Sequence, residues 1–203
     1  MTVTHYSLLS GPVTMSGVRV TVHYDGLIGS DTLRTEVQLA NPTGSPKTIT
    51  VTVATNVGSD AQTLVAGTSS GDTTFTAADR WVVTSKSGGA PFKLVDTHVL
   101  YGPGAVVPAG AVYNTTFKCG ESPTPNSQGV RADFHVTIPN NSTRRRLFFN
   151  QIHDSNDAAL TDAAVFNAEP VGLLAGLTNG ELAQVVNWTL SPVLHLFLPL
   201  VRG

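Results

Sequence analysis

Leu33–Thr55 reads LRTEVQLANPTGSPKTITVTVAT, and its two halves repeat one pattern around a turn. In Leu33–Ala40 the side chains Arg34, Glu36 and Gln38 alternate with Val37 and Leu39. In Lys47–Thr55 threonines alternate with Ile49, Val51 and Val53. A period of two puts alternate residues on opposite faces of a pleated strand. Each run therefore reads as a half-buried strand, with Arg34, Glu36 and Gln38 expected in solvent. Between them, Asn41-Pro42-Thr43-Gly44-Ser45-Pro46 is turn chemistry. Two alternating runs around a short turn predict a hairpin.

The pattern spreads outward from there. Upstream, Val18, Val20, Val22 and Tyr24 alternate with Arg19, Thr21 and His23, and Thr2–Leu9 is a shorter candidate. Downstream candidates are Gln62–Ala66, Thr73–Thr76, Arg80–Thr84, Phe92–Leu100, Ala111–Lys118, Val130–Ile138, Arg144–Ile152 and an apolar last run from Leu194 to Val201. Turn residues punctuate them, as expected of an all-β sandwich. Two short helices near the C-terminus interrupt the strand pattern. Asn156–Phe166 carries Ala, Leu and Val at helical spacing behind capping residues, with Asp154 or Asn156 as the expected cap. Thr178 and Glu181 form a capping box opening a helix to about Val186. The expectation is an all-β chain: one antiparallel β-sandwich domain over residues 1–203, with about ten or eleven strands and both helices against one end or edge.

Composition narrows the class. Charged residues are 13% of the 203, against about 25% in an average globular chain. β-Branched threonine and valine, stiff at χ1 and suited to a pleated surface, take their place. A net charge of −2 supplies no basic footprint for nucleic acid. No apolar run nears the ~20 residues of a membrane-crossing helix; the longest, Val193–Val201, is broken by His195 and Pro199. Neither nucleic-acid binding nor membrane insertion is expected. Threonine-rich, lysine-poor and nearly cysteine-free, the chain suits an extracellular or cell-surface setting. The opening MTVTHYSLL lacks the marks of a secretion signal. A removed signal, a piece of a longer chain and a protein that is not exported are the three readings. Cys119 is the only cysteine, so no intrachain disulfide forms.

Several stretches resemble a β-sandwich module of large secreted bacterial proteins. They are Asn56–Asp60, Thr68–Asp72 and Asp79–Thr84, then Thr143–Phe149, Gly172–Leu177 and Val186–Trp188. The closing Phe197–Val201 is similar to the ends of many exported proteins of filamentous bacteria. The resemblance spans roughly residues 50–203, implies a secreted β module, and carries no catalytic residues with it.

No assembled active site is legible. The six histidines include no pair at metal-binding spacing and no HExxH, and GxSxG, GxGxxG and the P-loop are absent. No cofactor is expected. His153-Asp154-Ser155-Asn156-Asp157 is the most ligand-like cluster, with Asp154, Asn156 and Asp157 as candidate calcium ligands; helix capping is the rival reading. Arg144-Arg145-Arg146 reads as cations guarding an edge strand, with Arg144 and Arg146 as a candidate patch for a partner. Asn114, Asn141 and Asn187 head glycosylation sequons.

Both end segments are apolar and unguarded by charge. Val3, Tyr6 and Leu8 at one end, and Leu194, Leu196, Leu198 and Leu200 at the other, are the candidate assembly residues. A terminal strand added to a neighbouring subunit would make a homo-oligomer or filament. The functional expectation is a non-enzymatic structural module that self-associates in this way. A carbohydrate-binding module is the first alternative, with glycans as partners and exposed aromatics as its requirement. A polysaccharide hydrolase or lyase, which needs two carboxylates in a cleft, is the second.

Overall fold

A computed structural model describes residues 5–55, 63–86, 94–113 and 129–192. Eleven strands lie in the described part: β1 (His5–Leu9), β2 (Val13–Met15), β3 (Val18–Leu27), β4 (Thr32–Asn41), β5 (Lys47–Thr55), β6 (Thr63–Thr68), β7 (Trp81–Lys86), β8 (Val95–Val99), β9 (Ala111–Tyr113), β10 (Val130–Ile138) and β11 (Ser142–His153). They form two antiparallel sheets of unequal size. The large one runs β1-β3-β4-β11-β8-β7-β6, with β2 also pairing β3; the small one runs β5-β10-β9.

The expected hairpin around Asn41–Pro46 does not form. β4 pairs with β3 and β11, whereas β5 pairs with β10 in the opposite sheet. Asn41 redirects the chain. Its Nδ2 donates to the carbonyls of Ser45, Ile138 and Pro139 at 2.8–3.1 Å, and its Oδ1 accepts from the Thr43 amide. Residues 42–46 thus cross between sheets beside the β10–β11 connection, which crosses likewise, and Asn141 N donates to Thr43 O. The true hairpin is β3–β4, closed at Ile28–Asp31 with Gly29 at φ +84°, a conformation glycine adopts without penalty.

Between the sheets, Val18, Val37, Leu39 and Phe148 meet Ala132, Phe134, Val136 and Ile138 of β10 in one buried cluster. The opposite face of the large sheet is covered too. Helix α1 (Asn156–Ala163), two 3-10 turns (Ala164–Asn167 and Val171–Leu173) and helix α2 (Asn179–Leu182) bring Ala159, Phe166, Leu174 and Leu182 onto Trp81, Val83, Val95, Val99, Leu147 and Phe149. The helical segments therefore pack on a face, making a third layer, rather than on an end or edge. That layer reverses the expected exposure of β4. Arg34 and Glu36 are buried, Arg34 pairing with Asp25 at 3.0 Å and Glu36 with Arg145. A buried charge needs such a partner, because desolvation otherwise neutralises or expels it.

Two expected elements shrink or vanish for stated reasons. Thr73–Thr76 is a loop, because Asp79 Oδ2 takes the Thr76 amide and Asp72 Oδ1 the Thr74 amide, bonds that compete with a ladder. The capping box on α2 forms, with Glu181 N on Thr178 Oγ1 and Thr178 N on Glu181 Oε2. The helix then stops at Leu182, since Gln184 O and Val186 N are engaged by the backbone of Arg145. The apolar run Leu194–Val201 lies outside the described residues, as do Val3 and Cys119.

Beyond Val186, whose amide bonds Arg145 O, the chain is tightly held. β8 ends at Val99, which leaves Leu147 of β11 beyond its last strand partner on that side. Asn187, fully buried, takes its place: its Oδ1 accepts from Leu147 N, and its Nδ2 donates to Leu147 O and Leu100 O at 2.7–2.9 Å. Trp188 follows it onto Gly102, where a Cβ would fall 1.8 Å from the indole. The sequon at Asn187 is therefore sealed inside the protein.

Candidate functional site

Among the described residues the three-stranded sheet covers only part of its eight-stranded partner. On the face the two sheets share, register sets Tyr6 opposite Gly26, Gly26 opposite Leu33 and Leu33 opposite Asn150, forming one row across β1, β3, β4 and β11. The adjacent row carries Leu8 and Tyr24. At this corner the apolar side chains meet solvent: Tyr6 is 75% exposed and Leu8 68%, and Tyr24, Ile28, Leu33, Leu94 and Ile152 are exposed as well. Gly26, bare of side chain, deepens the floor. The result is an open cleft of about 1280 Å³ that runs from Tyr6 and Leu33 past Ile28 and Leu94 to the start of α1.

Its far rim is polar and acidic. Ser30 and Asp31 come from the β3–β4 turn, His153 and Asp154 from the end of β11, and Asp162 from α1. His153 Nδ1 stands 3.6 Å from Asp162 Oδ2. Its Nε2 is buried and has no hydrogen-bond partner among the described residues. Ser30, Asp31, Thr32, His153 and Asp162 also line a second cavity of about 530 Å³, which extends under the helical layer to Glu169 and Gly172.

The structure distributes the sequence-derived candidates unevenly. Tyr6 and Leu8 sit together at the open corner. Leu194, Leu196, Leu198 and Leu200 lie outside the described residues. Asp154 and Asp157 point to solvent on either side of Ser155, and it is Ser155, not Asp154 or Asn156, that caps α1 by accepting from Ala158 N at 3.3 Å. Among the described residues no three His, Cys, Asp or Glu side chains gather at metal-ligand spacing.

The arginine run is reassigned outright. At the arginines β11 is paired with β4 on one side, and on the other the backbone of Arg145 bonds Gln184 O and Val186 N, so its cations guard no open edge. Arg146 is fully buried, its guanidinium 3.7 Å from the Phe134 ring centroid, with Nη2 on Val107 O. Burial pulls its pKa down to about 9. Arg145 belongs to the other face, bonding Glu36, Gln184 Oε1 at 2.9 Å and Glu181 at 3.3 Å. Arg144 alone of the three is half-exposed.

Aromatic residues divide in the same way. Trp81, Trp188 and Tyr101 are core residues, whereas Tyr6, Tyr24 and Tyr113 reach solvent. Leu33 and Ile152 carry no mark of a site residue in the sequence, since each continues an alternation that elsewhere leads into the core. Val37 and Phe148 differ from them in lying in the buried cluster with β10.

No family matches this sequence, and no curated protein matches it. Solved structures overlap it weakly, among them these three. A TPR-domain-containing protein from Parabacteroides distasonis is 11% identical over 68% of this chain and 31% of its own, at a TM-score of 0.36. A Synechocystis protein is 10% identical over 73% of this chain and 66% of its own, at 0.32. A Klebsiella pneumoniae protein assigned as an aldose 1-epimerase is 9% identical over 94% of this chain and 58% of its own, at 0.37. The chain thus spans only part of each, and likeness at this level assigns no function. Among the described residues no helix is long and apolar enough to cross a membrane.

Proposed function

We propose that this domain is a non-catalytic structural module of an extracellular or cell-surface protein, and that it self-associates into an oligomer or filament through its strand edges. One observation carries the reading. Among the described residues β1 and β2 end the large sheet, and they present Tyr6, Leu8, Leu9, Val13 and Met15 to solvent, all more than half exposed, with Tyr6 also lining the cleft. Exposed apolar patches of this kind mark interaction surfaces. Edge strands kept from unwanted pairing carry charge or proline instead, and β1 and β2 contain no Asp, Glu, Lys, Arg or Pro.

The test is the mass of the full chain by light scattering on a sizing column, with negative-stain microscopy of the same fractions. A concentration-dependent ladder or regular filaments support the reading. A monomer across the micromolar-to-millimolar range refutes it. A second reading, carbohydrate binding, draws on Tyr6 and Tyr24, two phenol rings exposed on one face beside a polar rim. A glycan array with Tyr6→Ala and Tyr24→Ala variants tests that reading.

A further inference from the structure

We infer that the cavity beneath the helical layer is a binding site for a primary alkylammonium group, carried by a free amine or by a lysine side chain. The inference does not depend on the self-association reading.

The cavity is built into the join between sheet and helices. Along β11, alternation puts Gln151 and His153 on the face that carries Leu147 and Phe149 against the helical layer. Thr32 sits opposite Gln151 on β4. Asp162, Val165 and the turn from Glu169 to Leu173 close the other side. At about 530 Å³ the space lies within the ~300–1,000 Å³ of small-molecule sites. Ser30, Asp31, Thr32, His153 and Asp162 line both this cavity and the larger cleft, which gives a ligand its way in.

Two buried side chains of the lining have polar atoms left over. Gln151 is 8% exposed; its Nε2 donates to Thr32 Oγ1 at 3.0 Å, and its Oε1 has no partner among the described residues. The His153 side chain is 6% exposed, and its Nε2 is likewise without a partner. Its Nδ1 faces Asp162 Oδ2 at 3.6 Å, which favours the proton on that nitrogen and leaves Nε2 an acceptor. Buried polar atoms are nearly always bonded, so each orphan points to a missing partner. Both orphans call for a donor.

The rest of the lining selects the ligand's chemistry. Of the wall's hydroxyls, Ser30 already gives its hydrogen to Leu27 O at 3.4 Å, and Thr161 to Asp157 O at 2.8 Å. Asp31, Asp162 and Glu169 add carboxylates, and no Lys or Arg is among the described lining residues. Such a wall repels an anion and serves a sugar poorly, since a sugar needs donors as well as acceptors. An ammonium group brings three donors and a positive charge. Val165, Pro170, Val171 and Leu173 supply apolar wall for its methylenes, and no Phe, Tyr or Trp stands among the described lining residues for a sugar to stack on.

Titration calorimetry on the full chain tests this. Putrescine and Nα-acetyl-lysine amide should bind, and the tighter of the two names the source of the ammonium group. Butanol, which lacks the charge, and tetramethylammonium, which lacks an N–H, should not bind. Gln151→Met with Thr32→Val exchanges a bonded pair for apolar groups of similar shape, a change that leaves stability nearly unaltered or raises it. The urea midpoint should therefore hold, while putrescine affinity falls about tenfold or more, the ratio for one hydrogen bond to a charged group. Asp162→Asn, at an exposed position, should weaken binding about two- to fivefold. A second measurement needs no variant to fold: in NMR spectra of labelled wild type, putrescine should shift the Gln151 side-chain amide and the Gly172 backbone amide. Equal binding of tetramethylammonium, undiminished affinity in the double variant, shifts confined to another surface, or no amine binding at all would each overturn the inference. Binding of methyl glucoside in place of the amines would overturn it in favour of the carbohydrate reading.

Discussion

Truncating Asn187 to Ala should cost this protein a large share of its stability although it removes only one small polar group. The buried amide closes three hydrogen bonds to backbone where β8 ends. After truncation Leu147 O keeps the Trp188 indole N–H at 3.0 Å, but Leu147 N and Leu100 O lose this partner. A buried backbone group left without a partner costs about 1–3 kcal/mol, so the pair predicts a loss of roughly 2–6 kcal/mol. Total stabilities of ~5–15 kcal/mol put that within reach of unfolding. With a urea slope near the top of the ~1–3 kcal/mol/M range, the midpoint falls by roughly 1–2 M at unchanged slope. Asn187→Leu separates hydrogen bonding from volume. It restores bulk and no donor or acceptor, so it should be as damaging as Asn187→Ala. A loss below about 1 kcal/mol in the alanine variant, or recovery in the leucine variant, would refute this reasoning.

Three further outcomes follow from the same geometry. His98 is fully buried between Thr84 Oγ1 at 2.8 Å and Asn150 Nδ2 at 3.2 Å, and burial pushes its pKa from 6.5 to about 3. The unfolded chain therefore binds a proton below pH 6.5 that the native state refuses, and stability drops by up to ~1.4 kcal/mol per unit as pH falls from 6.5 toward 4.5. Denaturation of His98→Gln across that window should show a shallower slope; groups such as Asp133, which the Arg131 guanidinium holds below the usual carboxylate range, add their losses at lower pH. Gly102→Ala should lower the melting temperature sharply, because its Cβ would fall 1.8 Å from Trp188. Gly67→Ala should be mild, since it meets only the movable Leu160 Cδ2 at 2.6 Å. Asp25→Ala strands the buried Arg34 guanidinium on the carbonyls of Leu173 and Ala175 and should cost about 3–5 kcal/mol. Adding Arg34→Met should restore much of that in equilibrium unfolding, an outcome contrary to simple addition of two losses.

Local chemistry was readable where neighbours along the chain supply the interaction. The capping box at Thr178 and Glu181 needs residues three apart, and it forms as expected. The cap of α1 was placed within one residue, at Ser155 rather than Asp154 or Asn156, because serine, aspartate and asparagine compete on equal terms for the role. The arginine run failed for the opposite reason. Whether Arg146 meets water or Phe134 depends on a ring twelve residues upstream in the other sheet, and whether β11 is open at the arginines depends on β4 and on the backbone of Gln184 and Val186. The open corner was hidden likewise. Leu33 and Val37 share a strand face and an alternation, yet one lines a cleft and the other the core.

Sequence by itself determined the all-β class, the antiparallel sandwich, most strand positions and the two short helices, since alternation and caps are set by spacings of two to four residues. Tertiary structure alone decided that β4 and β5 part into different sheets, that Arg34 and Glu36 go under a helical layer, and that Tyr6, Tyr24 and Leu33 stay in the open. The physical reason is that a period of two states that a strand has two unlike faces, while what covers each face is contributed by residues from a dozen to more than a hundred positions away.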